Sequence, residues 1–260
     1  MINNNLHNKI DNCIAVVSGK GGVGKSTIAV NLALAYVGQG LNTAILDANV
    51  WGSSIPILFG LENHRIDLTS VHSKIIPVEK FGIKILSSCF FESPEQNNRI
   101  TGMDASKALL KYYFEAEWGE IDVMIIDMPS GAGDVLAILC DQIKPNKTIV
   151  VTTPQKLAFS EAHHIGLMFN NEERKLPLTG VVENMSWFSP VEDSTQLHYL
   201  FGKGGGQVLA GLLETKLLAQ IPFAQGLAQS ADEGKLLTYA QNSITIPIFH
   251  KLAFDVLGED

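Results

Sequence analysis

An α/β domain is the fold this sequence predicts, built on a mostly parallel, twisted sheet of about seven strands with helices on both faces. The first indication is that short apolar, β-branched runs recur along the 260 residues without polar alternation, as strands buried on both faces do. The second is that stretches with helical periodicity separate them, which makes the strands neighbours through helical crossovers, right-handed by rule. In chain order the strands are CIAVVS (13–18), NTAILD (42–47), GIKILSS (82–88), VMIID (123–127), TIVVTT (148–153), LTGVVEN (178–184) and LLAQIP (217–222). Helices are expected near 24–38, 104–117, 134–142, 158–170, 206–213 and 247–257. No proline-rich linker, charge run or internal repeat divides the chain, so 13–260 reads as one domain behind a flexible polar segment, 1–12.

Composition narrows the class. Hydrophobic residues make up 46% and charged ones 18%, enough to bury a sizeable core. A formal net charge of −8 and a pI near 5.4 argue against partners that need a lysine and arginine excess, so neither nucleic acid nor a stable membrane association is expected. The start, MINNNLHNKIDN, lacks the apolar core of an export signal, and no run of about 18 apolar residues occurs to span a bilayer. The cysteines number 3, an odd count, and Cys13, Cys89 and Cys140 are far apart, which fits a reducing cytoplasm rather than a disulfide framework.

The sharpest motif follows the first strand. Gly19-Lys20-Gly21-Gly22-Val23-Gly24-Lys25-Ser26-Thr27 satisfies G-x-x-x-x-G-K-[ST] between a strand and the helical run TIAVNLALAYV. Glycines let successive amides converge on phosphate oxygens, and a helix N-terminus adds its dipole. In that chemistry Lys25 reaches the β- and γ-phosphates of ATP and the Ser26 hydroxyl ligates Mg²⁺. The domain is thereby a P-loop NTPase. Lys20, just after the first glycine, makes the loop resemble the deviant version of the MinD/ParA group of ATPases. That resemblance implies a homodimer in which Lys20 crosses the interface to the partner's nucleotide.

Asp47 ends the second strand in LDANVWGSSIP, and Asp127 ends another in VMIIDMPSGAGDV. Acids at the carboxyl ends of central parallel strands lie where such sheets bind ligands. Asp127 is the candidate for holding the Mg²⁺ shell, and Asp47 for orienting or deprotonating the attacking water and contributing to the metal site.

With these pieces placed, the chain resembles the Mrp family of P-loop ATPases, which carry or insert iron–sulfur clusters. The matching stretches are VVSGKGGVGKST, LDANVWGSSIP, WGEIDVMIIDMPSGAGDV, VTTPQKLAF, GVVENMS, FGKGGGQVLA and IPFAQGLAQSADEGK, in the family's order and spacing. The resemblance implies that Asp47 belongs to a first switch and Asp127, Gly131 and Asp134 to a second. It also implies that Asn184 and the segment Ile221-Pro222-Phe223 flank the adenine. Asn184 suits that role on its own chemistry, since an amide reads an adenine edge with one donor and one acceptor.

The chain departs from the family pattern in several places. Asn49 stands where the first switch usually has a second aspartate, Ser53 where it has proline, and Ser130 and Ala132 where the second switch has proline and threonine. More telling, the family's Cys-Pro-x-Cys, which bridges a cluster between subunits through thiolates, is here Ser189-Pro190-Val191-Glu192. Hydroxyls are poor iron ligands, so the chain is not expected to hold a cluster alone. Glu192, Asp193 and His198 form a weaker, hard-metal alternative in the same loop. The later FGKGGGQ (201–207) lacks the Gly-Lys-Ser of a phosphate loop and reads as a turn before a helix, with its amides free to meet an anion.

The reading is therefore a Mg-ATP-dependent, dimeric ATPase switch of the Mrp type serving cluster or metallocofactor assembly, its partner a protein client or cluster-recipient apoprotein. The alternatives are a regulator without a cluster, and a MinD/ParA-type positioning ATPase.

Overall fold

Strand β1 (Lys9–Val17) shows the pattern that organises the molecule. Cys13, Ala15 and Val17 are buried toward one side of the sheet and Ile14 and Val16 toward the other, as a period of two demands of a strand covered on both faces. The computed structural model describes residues 8–50, 52, 54–66, 74–91, 101–169, 176–189, 196–224, 234 and 244–258. The strand starts at Lys9, not at Cys13, because Lys9 and Asn12 pair in register with Glu120 and Val123. Of residues 9–12 only Ile10 is apolar, and Lys9 and Asp11 are exposed, so apolar content alone assigns them wrongly to an N-terminal segment; residues 1–7 lie outside the described part.

The remaining elements are α1 (Lys25–Gly38), β2 (Thr43–Asp47), α2 (Ile55–Leu58), β3 (Val78–Lys80), β4 (Ile83–Ser87), a 3₁₀ turn (Ser88–Phe90) and α3 (Gly102–Glu115). Then follow β5 (Glu120–Asp127), α4 (Asp134–Ile143), β6 (Lys147–Thr152), α5 (Lys156–Phe169), β7 (Leu178–Glu183), α6 (Gly205–Leu212), β8 (Leu217–Gln220) and α7 (Thr245–Leu257). They build an 8-stranded sheet in the order β3-β4-β2-β5-β1-β6-β7-β8. All neighbours run parallel except β3 against β4.

The extra strand is β3, whose three residues Val78, Glu79 and Lys80 are too few and too charged to signal themselves. It hairpins onto β4 through Phe81 and Gly82, both at positive φ (55° and 76°), the backbone that a tight two-residue hairpin turn requires. Helix α3 begins two residues earlier than its apolar run because Thr101 caps it. The Thr101 hydroxyl oxygen accepts from the Asp104 amide at 3.3 Å and donates to the Asp104 carboxylate at 2.6 Å.

Helices α3, α4, α5 and α6 cover one face of the sheet with Leu109, Leu136, Leu139, Ile165 and Leu209. Helices α1, α2 and α7 cover the other with Ile28, Leu32, Ile55 and Leu252. Each such fully buried aliphatic side chain contributes about 1.5–3 kcal/mol by leaving water. Between these layers β1 is flanked by β5 and β6. The chain returns to opposite sides of β1, so its carboxyl end opens at the point where strand order reverses. Asp127 is in register with Val16 on one side and with Asp47 on the other, which brings both acids to that edge.

Candidate functional site

The loop between β1 and α1 is shaped by where side chains are forbidden. A Cβ on Gly19 would lie 2.2 Å from the Glu161 backbone carbon, so α5 packs directly on the start of the loop. Gly24 sits at φ 88° as the left-handed N-cap of α1, and a Cβ there would lie 2.2 Å from Asn184 Nδ2. Around Gly21 and Gly22 there is open space instead, the nearest atom to a Gly21 Cβ being Ser130 Oγ at 3.8 Å. That open side is the cradle a phosphate chain needs. The first turn of α1 carries no acidic residue, so its positive dipole end is left for an anion.

Three groups meet behind the cradle. The Lys25 ammonium is 2.5 Å from Asp127 Oδ1, and the Ser26 hydroxyl donates to Asp127 Oδ2 at 2.6 Å. Asp127 is fully buried and Lys25 almost so, which makes one carboxylate the anchor of both phosphate-loop side chains. Its backbone carbonyl also accepts from Ala48 N at 3.0 Å, tying the end of β5 to the turn after β2.

Asp47 lies beside it, fully buried. One oxygen accepts from the Asn49 amide at 3.0 Å and the other from the Ser87 hydroxyl at 2.9 Å. Burial, and next the charge of Asp127, push its carboxyl up to about 7, against the opposing pull of the Asn49 and Ser87 hydrogen bonds and the Lys25 charge. Ser87 escaped the sequence reading. Its only signal is the register of β4 on β2, Ser87 opposite Asp47, which no local motif encodes.

The segments that the resemblance names as switches lie at the same edge. Gly131, at φ 86°, donates its amide to Ser18 O at 2.9 Å, while Ala132 and Asp134 are exposed beyond it. Asn49 donates Nδ2 to Gly52 O at 2.9 Å, a bond an aspartate cannot make, so the departure from Asp stabilises this turn. Ser53 lies outside the described residues. Thr27, half-buried, accepts from Asn31 Nδ2 through its backbone carbonyl. Lys20 is half-buried, and among the described residues its ammonium makes no ion pair.

Asn184 is buried against the loop, donating Nδ2 to Val23 O at 2.9 Å. A carbonyl can only accept, so this bond fixes the amide's orientation and leaves Oδ1 for another partner. Pro222 is buried and Phe223 40% exposed; Phe223 N bonds Trp187 O at 2.7 Å, which joins the two segments expected around a base. Phe188 pairs with His198 through both backbone bonds at 2.8 Å, closing the base of the 189–198 loop. Glu192 and Asp193 lie outside the described residues.

The glycine-rich FGKGGGQ is a turn into α6, with Gly202 and Gly204 at positive φ. The anion its amides meet is internal: Gly206 N donates to Glu183 Oε2 at 2.5 Å. Cys13 and Cys140 are buried in the same core layer and Cys89 is half-buried after β4. Burial pushes the Cys13 thiol up to about 12 and raises that of Cys89 too, so neither is poised as a thiolate. Among the described residues no group of three or more His, Cys, Asp or Glu is arranged to hold a metal. The oxygen set of Ser26, Asp127 and Asp47 fits a hard divalent cation such as Mg²⁺, and the bare glycine cradle with Lys25 fits its phosphate partner.

The Asp47 shift has a measurable consequence. An unfolded chain releases this proton near 3.8, whereas the folded one holds it to about 7. Folding therefore takes up a proton inside that window; Asp47 favours the fold below it, and that contribution is lost as pH rises through it. In chelator-treated protein without nucleotide, Asp47→Asn is expected to gain stability relative to wild type as pH rises across the window, by about 1.4 kcal/mol per pH unit at most. Urea midpoints at the two ends of the window check this, and a constant difference contradicts it.

Comparison with known proteins places the chain in a family. The model of the family described as "ParA: NUBPL iron-transfer P-loop NTPase" matches residues 9–257. The iron-sulfur cluster carrier protein of Aquifex aeolicus is 40% identical over 87% of this chain, and this chain spans 61% of that protein's length. The iron-sulfur cluster transfer protein NUBPL of Dictyostelium discoideum is 34% identical, covering 89% of this chain and 71% of its own. Among solved structures, a nucleotide-binding protein from Archaeoglobus fulgidus in complex with ADP superposes with a TM-score of 0.75 at 33% identity, over 90% of each chain. The Pyrococcus furiosus cell-division ATPase MinD does so at 0.70, over 95% of this chain and 98% of its own, but at 20% identity, a likeness of fold alone. Among the described residues no helix is long and apolar enough to cross a membrane. The chain belongs to the ParA-type family of iron-transfer P-loop NTPases.

Proposed function

We propose that this chain is a Mg-ATP-dependent ATPase switch that acts as a homodimer in iron–sulfur cluster handling and supplies no thiolate ligand pair of its own. The observation that carries the catalytic part is the single buried carboxylate of Asp127 holding both Lys25 Nζ and Ser26 Oγ at the mouth of the glycine loop.

ATP lies along Gly19–Thr27, its phosphates on the loop amides and Lys25, its base between Asn184 and Pro222–Phe223. Ser26, Asp127 and Asp47 would hold Mg²⁺, which would supply positive charge against the phosphate oxygens. Asp47 orients the attacking water and takes its proton; the bond from water oxygen to the γ-phosphorus forms while that to the ADP oxygen breaks. Lys20 completes the opposite site of the dimer, so hydrolysis loosens the pair and changes affinity for the client apoprotein. The names of the relatives support the iron–sulfur assignment. The buried Cys13 and Cys140 support the view that cluster ligands come from elsewhere. The likeness to MinD does not favour a positioning role, since it is one of fold.

Lys25→Ala is expected to lower ATP turnover by about 10²–10³-fold, the scale of losing one preorganised donor to transition-state charge. Near-normal turnover sinks the site assignment. Lys20→Ala should keep nucleotide binding but lose dimerisation with a non-hydrolysable ATP analogue, read by light scattering. Iron and acid-labile sulfide analysis after anaerobic purification and reconstitution is expected to find no stable cluster on this chain alone, and a stoichiometric cluster per dimer refutes that part.

A further inference from the structure

Glu183 is a fully buried carboxylate that the ATPase mechanism above leaves unused. It ends β7, and both of its oxygens are engaged. Oε2 accepts the Gly206 amide at 2.5 Å, in the first turn of α6, and Oε1 accepts Gln220 Nε2 at 2.7 Å, at the end of β8. Its backbone carbonyl accepts from Ile221 N at 2.8 Å and from the Ser186 hydroxyl at 2.9 Å. Gly206 fits only without a side chain, since a Cβ there would lie 2.7 Å from Glu183 Cβ.

Burying a carboxylate is costly unless its bonds are made, and an apolar residue would fill the space at less expense. The local backbone indicates what the charge achieves. Strand β8 changes register on β7 between Val181 and Val182, and beyond that irregularity only Val182–Ala219 and Glu183–Gln220 pair before the segment Ile221-Pro222-Phe223 begins. On the other side Met185 turns the chain in the left-handed region at φ 54°. Glu183 spans both irregularities. It fastens the segment before Pro222 to the strand end from which Asn184 reaches Val23 O of the glycine loop.

We infer that Glu183 is a positioning residue for base recognition: its carboxylate clamps Gln220 and Gly206 so that Asn184 and Pro222–Phe223 stand at a fixed spacing around the adenine. This rests on the nucleotide site proposed above. Glu183→Gln isolates the effect, because the amide has nearly the same shape but only one acceptor oxygen. Gly206 N can only donate, so the new amide turns its oxygen there; its NH₂ then faces Gln220, whose own amide must turn over to accept it, and both bonds lose the charge that tightens the clamp.

The test is calorimetric titration with Mg-ATP and with Mg-tripolyphosphate, which has the phosphates and no base. Wild type binds ATP more tightly than tripolyphosphate. In Glu183→Gln, ATP affinity falls about ten-fold, the effect of replacing charge-assisted bonds by neutral ones, while tripolyphosphate affinity is retained. A merely structural role weakens both ligands together; that outcome, or no change in either, overturns the inference. If thermal melting shows that Glu183→Gln does not fold, Gln220→Ala removes one clamp partner from an exposed position. It is expected to weaken ATP alone by about three-fold, and unchanged ATP binding overturns the inference. Wild type that binds neither ligand, or both equally, instead refutes the nucleotide or base site on which the inference depends.

Discussion

A carboxylate without water around it must be satisfied by its neighbours, and in this molecule that constraint falls on Asp127. It stands fully buried at the end of the central strand β5, with the Lys25 ammonium on one oxygen and the Ser26 hydroxyl on the other. Its position follows from the sheet. Parallel pairing of β5 with β1 sets Asp127 opposite Val16, two residues before the loop opens, and pairing with β2 sets it opposite Asp47. The same register that buries Ile14, Ile125 and Ile45 therefore brings two acids and one lysine to one edge. Moving any of these strands by one residue would turn the acids to the other face of the sheet and exchange the side chains of the two core layers.

Around that centre the glycines divide into those that allow contact and those that leave room. Gly19 and Gly24 let α5 and Asn184 touch the loop, whereas Gly21 and Gly22 leave its outer side bare. The first pair makes the loop rigid by joining it to elements that come late in the chain. The second gives it a ligand-sized opening. The loop is thus joined to α5 and to Asn184, and the end of its strand to Gly131, by direct hydrogen bonds or packing. The proposed switch rests on these contacts.

Much of this was legible in the sequence because the relevant signals are local. The apolar runs marked the seven parallel strands, and the spacing from Gly19 to Thr27 marked the loop. What escaped depends on pairing between distant segments. Polar Lys9 and Asn12 joined β1 only through Glu120 and Val123, and the short β3 is held by its hairpin onto β4. Ser87 reaches Asp47 only through register, and Glu183 acquired partners in α6 and β8 that lie 23 and 37 positions away. FGKGGGQ reads in the sequence as a turn before a helix, which it is, but that its amide meets Glu183, 23 positions back, no local motif encodes.

The central claim is that Asp127 hands Lys25 and Ser26 to a nucleotide. A crystal structure of the chain with Mg-ADP tests it most directly, read at the Lys25–Asp127 contact, which is 2.5 Å here. The account predicts that Lys25 Nζ moves onto a β-phosphate oxygen, that Ser26 Oγ moves onto the cation, and that Asp127 stays beside the cation's shell. ADP bound outside the glycine loop, with Lys25 and Ser26 still on Asp127, would contradict it.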